Sequence, residues 1–301
     1  MQDRTEARKR RALLLFNPGA RRAGEGFGAV MPRLVQGGLA VTVEPFSALP
    51  EIARDIVRLR ENADLIVLCG GDGTIASGAM AVIESGLPLG IIPMGTANDL
   101  ARTLEIPMDL EQAADVIVSG ATRRIDVGSV NGHAFFNVAS IGLSADLARK
   151  LDAGLKKRWG RLGYAIAALR VLSRSRRFEA TITEKDFETQ VSTYQIAVGN
   201  GRHYGGGNVV EEKASIDDGY LDLYSLEVSN VWKLAAMMRS FRAGRQGLWS
   251  EVRTAKCVRF DVVTRRPMPV NTDGEIVTAT PARFMVHPGA VEVFVPERAG
   301  G

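Results

Sequence analysis

Apolar positions along the first part of the chain come in two alternating styles. ALLLF (Ala12 to Phe16), AVTVEPF (Ala40 to Phe46), DLIVLC (Asp64 to Cys69) and LPLGIIPM (Leu87 to Met94) are short, mostly apolar runs, the pattern of strands buried on both faces. Between and after them, Gly26 to Gln36, PEIARDIVRLREN, Ile75 to Ser85 and parts of TANDLARTL and LEQAADVIVSG predict helices, with Pro50 placed for a first turn. Strand and helix in alternation predict a parallel sheet with helices on its faces. From about Ile125 the pattern changes to β-rich runs such as IDVGSV, HAFFNVASI, EATITE, YQIAVGN, GYLDLYSL, KCVRFDVV, ARFMVH and VEVFVP, punctuated by Gly, Asn and Asp. These predict an antiparallel sandwich or barrel, interrupted by helices over Ser144 to Leu172 and Val231 to Arg242. The expected organisation is an α/β domain over 1–124 and an all-β domain over 125–301, the C-terminal tail being able to pack back on the first domain.

Composition changes this picture little. With 301 residues, 46% of them hydrophobic and 24% charged, the chain has enough apolar material for two folded domains and is not a disordered sequence. Two cysteines, Cys69 and Cys257, make no dense disulfide framework, so a cytoplasmic setting is expected. Ala12 to Phe16 is too short for the core of a signal peptide, and no run approaches the ~18 to 20 apolar residues of a spanning helix, so membrane contact is expected to be peripheral. Net charge is only +4, yet Arg149 to Arg177 holds ten basic residues and one acidic one.

Candidate chemistry lies in the loops. Ligands of parallel α/β sheets bind outside the carboxyl ends of the strands, and FNPGARR, GGDGT and PMGTAND all fall there. Gly70, Gly71 and Gly73 are read as allowing positive φ and letting backbone amides approach a phosphate at a helix start, the alternative being a plain structural turn. Asp72 resists the plain reading, because a carboxylate beside a phosphate cradle is repulsive unless it handles a proton, a metal ion or a basic group. In the next loop Thr96 and Asn98 offer neutral hydrogen-bonding groups, and Asp99 is either functional or a helix cap. Arg21 and Arg22 are read as neutralising phosphate, the alternative being solvated surface arginines. Gly24, Gly26 and Ala29, with Glu44 farther on, imitate a dinucleotide fingerprint but begin about eight residues after the strand. Asp273 and Glu275 in VNTDGEIVT, and Asp217 and Asp218 in SIDDGYLDL, lie at Asp-Gly turns, the second able to collect a hard cation. His133, His203 and His287 are scattered and support neither a zinc site nor a Ser-His-Asp triad. No P-loop is present.

In their order, NP, GGDGT, PMGTAND, RRIDVG, VGNGRHYGGG, DDGYLDL and DGE resemble the diacylglycerol kinase catalytic family, in particular its soluble bacterial lipid kinases of the YegS-like kind. Sphingosine kinases are similar in outline; NAD kinases and phosphofructokinases share the glycine-aspartate loop. The resemblance implies a nucleotide-binding α/β domain of the NAD kinase and diacylglycerol kinase type, a β-sandwich lipid-substrate domain, and ATP and lipid meeting in the cleft between them. It implies that Gly70, Gly71, Asp72, Gly73 and Thr74 hold the ATP phosphates and order Mg²⁺, that Asn17, Thr96 and Asn98 contact nucleotide with Arg22 as a basic substitute, and that Asp99, Asp126 and Asp273 form a charged network. Glu275 is implied as the general base acting with Asp72 in catalysis, and Asp218 with the Tyr220 carbonyl as ligands of a second, structural Mg²⁺. The partner expected is a membrane lipid, with the basic segment either on an anionic inner membrane face or an ordinary solvated helix face over a core; a homodimer is compatible and nucleic acid is not expected. Ala76 and Ser77 stand where the family usually has an Asn-Glu pair, which keeps open a soluble-substrate kinase related to NAD kinase and a catalytically weak nucleotide- or lipid-binding protein.

Overall fold

The computed structural model describes residues 9–19, 23–143, 175–185, 187–200, 203–204, 208–209, 215–228 and 252–297. The helices expected over Ser144 to Leu172 and Val231 to Arg242, and Arg21 and Arg22, lie outside the described residues. The chain divides into two compact units, one of residues 1–125 with 290–301 and one of residues 126–289.

In the first unit, strands β1 (Arg11–Phe16), β2 (Ala40–Pro45), β3 (Leu65–Gly70) and β4 (Leu89–Pro93) alternate with helices α1 (Ala23–Gln36), α2 (Leu49–Leu59) and α3 (Asp72–Ser85); α4 (Asp99–Thr103) and α5 (Leu110–Ser119) follow. The strands are parallel in the order β2-β1-β3-β4, and the far end of the last strand of the chain, Ala282–Phe294, joins β4 in parallel at Val293. Leu13 to Leu15, Ile66 to Leu68 and Ile91 to Ile92 are buried, as strands covered on both faces require. Helices α2 and α3 pack together over the Leu68 face, where Gly78 lets Ile52 and Ile56 close in. On the other face Gly90 gives way to Ile117 of α5, which packs with α1.

The second unit is built from antiparallel strands. β5 (Thr122–Val130) enters it and pairs with β6 (His133–Phe135); then come β7 (Val138–Gly142), β8 (Phe178–Glu184), β9 (Phe187–Thr193), β10 (Gln195–Gly199), a small β11 (His203–Tyr204) to β12 (Asn208–Val209) pairing, β13 (Leu221–Leu226), β14 (Val252–Cys257), β15 (Arg259–Thr264), β16 (Pro269–Thr272), β17 (Glu275–Ala279) and β18 (Ala282–Phe294). One sheet has the order β14-β13-β10-β7-β16-β17; in the other, β18, β15, β8 and β9 are neighbours. Ile141, Ile196, Val198, Leu221, Leu223 and Val270 from the first sheet share one apolar core with Ile182, Val191, Phe260, Val262 and Phe284 from the second. This is a β-sandwich, and the fold class expected from the hydrophobic pattern holds: α/β with a mostly parallel sheet, then all-antiparallel β.

Candidate active site

Within the first unit, parallel register brings three loop starts to one edge of the sheet. Phe16 is level with Cys69, and Gly70 with Pro93, so Asn17, the GGDGT turn and PMGTAND all leave the carboxyl ends of adjacent strands. The turn is tighter than the hydrophobic pattern predicts, since α3 starts at Asp72 and not at Ile75, leaving Gly71 alone between strand and helix. The positive φ expected at Gly70, Gly71 and Gly73 does not occur: among the described residues none of these three has it, and Gly71 is extended at φ −97°. Their requirement is space. A Cβ on Gly95 would lie 2.4 Å from the Gly71 Cα and 2.6 Å from Asn98 Oδ1, and one on Gly70 would lie 2.3 Å from Thr74 Oγ1. The two loops therefore touch backbone to backbone, tied by the Met94 N–H to the Gly70 carbonyl at 2.9 Å.

The left-handed residue is Asn98, at φ 51°. Its side chain closes its own loop, Oδ1 accepting from the Gly95 N–H at 2.9 Å and Nδ2 donating to the Gly95 carbonyl at 3.0 Å. Asn98 thus braces the cradle, and Asp99, buried in the first turn of α4, is not the cap residue. Asn17 makes an Asx turn, its Oδ1 accepting from the Gly19 N–H at 2.8 Å. Thr96 is exposed and Thr74 half-buried. At the start of α3, where helix amides have no partner one turn earlier and the dipole favours anions, the Asp72 Oδ1 accepts from the Leu100 N–H at 3.2 Å. Burial raises the Asp72 carboxyl above its ordinary value and nearby Asp99 adds to this, while the amides of Leu100, Asp99 and Asp72 itself act in the opposite sense. Ser77 turns its hydroxyl back to the Gly73 carbonyl at 2.8 Å. The dinucleotide decoy dissolves, because Gly24, Gly26 and Ala29 lie within α1, and Glu44 is paired with Arg58 at 2.6 Å.

In the second unit the Asp-Gly hairpin between β16 and β17 has positive φ at both turn residues, 46° at Asp273 and 104° at Gly274, as a tight two-residue turn demands. Asp273 accepts the N–H groups of Phe136, Asn137 and Val138 at 2.8, 3.1 and 3.0 Å, so its carboxylate clamps the start of β7. Glu275, two residues on, is exposed at the head of β17. Asp126 is likewise a backbone clamp, buried and accepting from the Gly219 N–H at 2.6 Å and the Gly289 N–H at 2.8 Å. The sequence-level charged network of Asp99, Asp126 and Asp273 thus includes two carboxylates bound to main-chain amides. Sequence reading missed three buried asparagines close to these clamps: Asn137 Oδ1, Asn200 Oδ1 and Asn271 Nδ2 are buried without a hydrogen-bond partner among the described residues, and the signal was an amide inside apolar FFNVAS, IAVGN and MPVNTD.

At the turn where a structural Mg²⁺ is expected, both Asp218 oxygens have protein partners. Asp218 Oδ1 accepts from the Tyr220 N–H at 3.0 Å and Oδ2 is ion-paired with Lys256 Nζ at 2.7 Å. No group of three or more His, Cys, Asp or Glu able to hold a metal occurs among the described residues. Cys69 is buried and its thiol is pushed up to about 12 by burial, so it is not a reactive thiolate. No described helix is long and apolar enough to cross a membrane.

Both parts of the chain match known protein families. Residues 11–130 match the family model described as the diacylglycerol kinase catalytic domain, and residues 137–295 match the YegS C-terminal NAD kinase beta sandwich-like domain. A diacylglycerol kinase of Staphylococcus epidermidis is 28% identical over 96% of this chain and 93% of its own length. A Stenotrophomonas maltophilia protein named "Probable lipid kinase YegS-like" is 33% identical over 77% of this chain and 79% of its own. A crystal structure of a diacylglycerol kinase from Bacillus anthracis, 20% identical, covers 97% of this chain and 98% of that one with a TM-score of 0.76, which shows the shared fold. With glycine-rich loops at the edge of a parallel sheet and a β-sandwich behind them in sequence, the chain belongs to the diacylglycerol kinase and YegS-like lipid kinase family.

Proposed function

We propose that this protein transfers the γ-phosphate of ATP, in the presence of Mg²⁺, to a hydroxyl of a diacylglycerol-like membrane lipid. The observation that carries this reading is the backbone contact of Gly71 with Gly95, which sets the first turn of α3 and the PMGTAND loop side by side as one cradle at the carboxyl ends of β3 and β4. Phosphoryl transfer is dominated by positioning and electrostatic stabilisation, which such a cradle supplies. Asp72 fits a hard cation through its oxygen donors: burial and Asp99 disfavour its charge, and a cation nearby removes that cost. When bound, nucleotide Mg²⁺ neutralises charge on the phosphates.

The chain's own residues divide the remaining work. The amides around Gly73 and Thr74 hold phosphate oxygens, Asn17 and Thr96 contact nucleotide, and Asn98 keeps the second loop closed. Glu275 takes the proton of the lipid hydroxyl as its oxygen forms a bond to the γ-phosphorus and the bond from that phosphorus to the ADP oxygen breaks. Basic residues of Arg149 to Arg177 meet an anionic membrane surface.

Transfer of labelled γ-phosphate in mixed micelles tests the reading, with diacylglycerol, phosphatidylglycerol, sphingosine, ceramide and soluble NAD as acceptors, with and without Mg²⁺. Label in a lipid, dependent on Mg²⁺, is expected. Label in NAD alone, or none with ATP still bound, overturns it in favour of a soluble-substrate kinase or a binding protein respectively.

A further inference from the structure

The place where the family resemblance implies a second, structural Mg²⁺ holds a side-chain cation instead. Strands β13 and β14 pair so that Lys256 stands opposite Asp222, at the end of β13 that follows the Asp217-Asp218-Gly219 turn. From there the ammonium reaches Asp218 Oδ2 at 2.7 Å and lies 5.5 Å from the centre of the Tyr220 ring, on whose face a cation is attracted. The other Asp218 oxygen accepts the Tyr220 N–H at 3.0 Å, closing the turn on itself. Next to it, Gly219, at φ +76°, donates to Asp126, which also holds Gly289. One turn is thus gripped from two sides, by an ammonium and by a buried carboxylate.

We propose that Lys256 is a built-in cation that performs the structural task of a divalent ion at the Asp218 turn, so that this protein folds and holds that turn without a metal there. An ammonium offers donors to several oxygens and has the positive charge that clustered carboxylates need, while a divalent ion needs six or more oxygen ligands and would have to displace it. The inference concerns the second unit alone and stands or falls independently of the kinase reading.

Removing the ammonium should convert the turn into a metal site, because Asp218, Asp222 and the turn carbonyls are hard oxygen donors. The test uses the full chain without nucleotide, monitored by thermal unfolding in EDTA or excess Mg²⁺ and by electron paramagnetic resonance of added Mn²⁺. Wild type should melt at the same temperature in both and show no Mn²⁺ site that Asp218→Asn abolishes. Lys256→Met should melt lower in EDTA by about 2 °C or more, regain part of the loss with Mg²⁺, and acquire a Mn²⁺ site that is lost in the double variant with Asp218→Asn. Lys256→Arg should retain the metal-independent melting of wild type. A Mn²⁺ site in wild type that depends on Asp218 overturns the proposal, as does Lys256→Met melting like wild type in EDTA without gaining a site. Should Lys256→Met fail to fold, the Mn²⁺ titration of wild type against Asp218→Asn decides alone.

Discussion

Asp-Gly occurs at Asp72-Gly73 in the first unit and at Asp218-Gly219 and Asp273-Gly274 in the second. The same dipeptide has different physical consequences in the two units. Asp273 sits in a tight hairpin and is held by three backbone N–H groups at 2.8 to 3.1 Å, and Asp218 by one amide and one ammonium. Asp72 begins a helix beside a second carboxylate, with a hydrogen bond to Leu100 at 3.2 Å, and burial outweighs the amides that favour its charge. The second unit uses these carboxylates to hold its turns, whereas the first keeps one whose charge is held at a cost. A charge held at a cost is the one that a bound cation or proton can relieve, and such groups gather at functional sites.

The largest effect that sharpens this contrast is expected at Asp72. Asp72→Asn keeps an acceptor for the Leu100 N–H but removes the charge, and should lower turnover by about 10²–10³-fold, the scale for loss of one electrostatic group in an active site. Stability should move the other way. Because the folded-state carboxyl titrates higher than the unfolded one, the folded protein binds the proton more tightly, and wild type loses stability as pH rises through the interval from the ordinary Asp value to the raised one. The variant lacks this loss, so urea titrations should find it the more stable protein at neutral pH, with the advantage vanishing at pH below the ordinary carboxylate range. A variant less stable at neutral pH would break the contrast.

Next is Asp273→Ala, which strips the acceptor from three amides at the start of β7 and should cost on the order of 3 kcal/mol in urea unfolding. A cost below about 0.5 kcal/mol, the scale of ordinary surface changes, would show that the clamp is not structural. Gly95→Ala follows: its Cβ would meet the Gly71 Cα at 2.4 Å, so the loops must part, at about 1–3 kcal/mol for an overpacked site. Calorimetric titration should show weaker ATP binding in the same variant, and unchanged ATP affinity would show that the contact between the loops does not serve nucleotide binding.

Much of this was legible in residue order. Contiguous apolar runs in ALLLF, DLIVLC and LPLGIIPM placed β1, β3 and β4, and with them the edge where the loops converge. Local rules also foresaw the hairpin at Asp273-Gly274 and the need for glycine at Gly71, though not its reason, since close approach between loops is a tertiary fact and φ was the wrong quantity to read. Partners far apart in the chain were invisible for the same reason. Asp273 binds Asn137 across 136 residues and Asp126 binds Gly289 across 163, and no spacing rule connects them. Lys256 meets Asp218 across 38 residues only because β13 and β14 pair in one register, so a turn that reads as a cation site from its own residues already contains its cation.

The proposed phosphoryl transfer depends most on Glu275 acting as its general base. Its most direct test is steady-state lipid phosphorylation by Glu275→Gln together with calorimetric ATP binding. Loss of general base catalysis predicts a fall in turnover of about 10²–10⁴-fold with ATP affinity unchanged. Turnover retained within about tenfold of wild type, a loss too small for a missing general base, would contradict it.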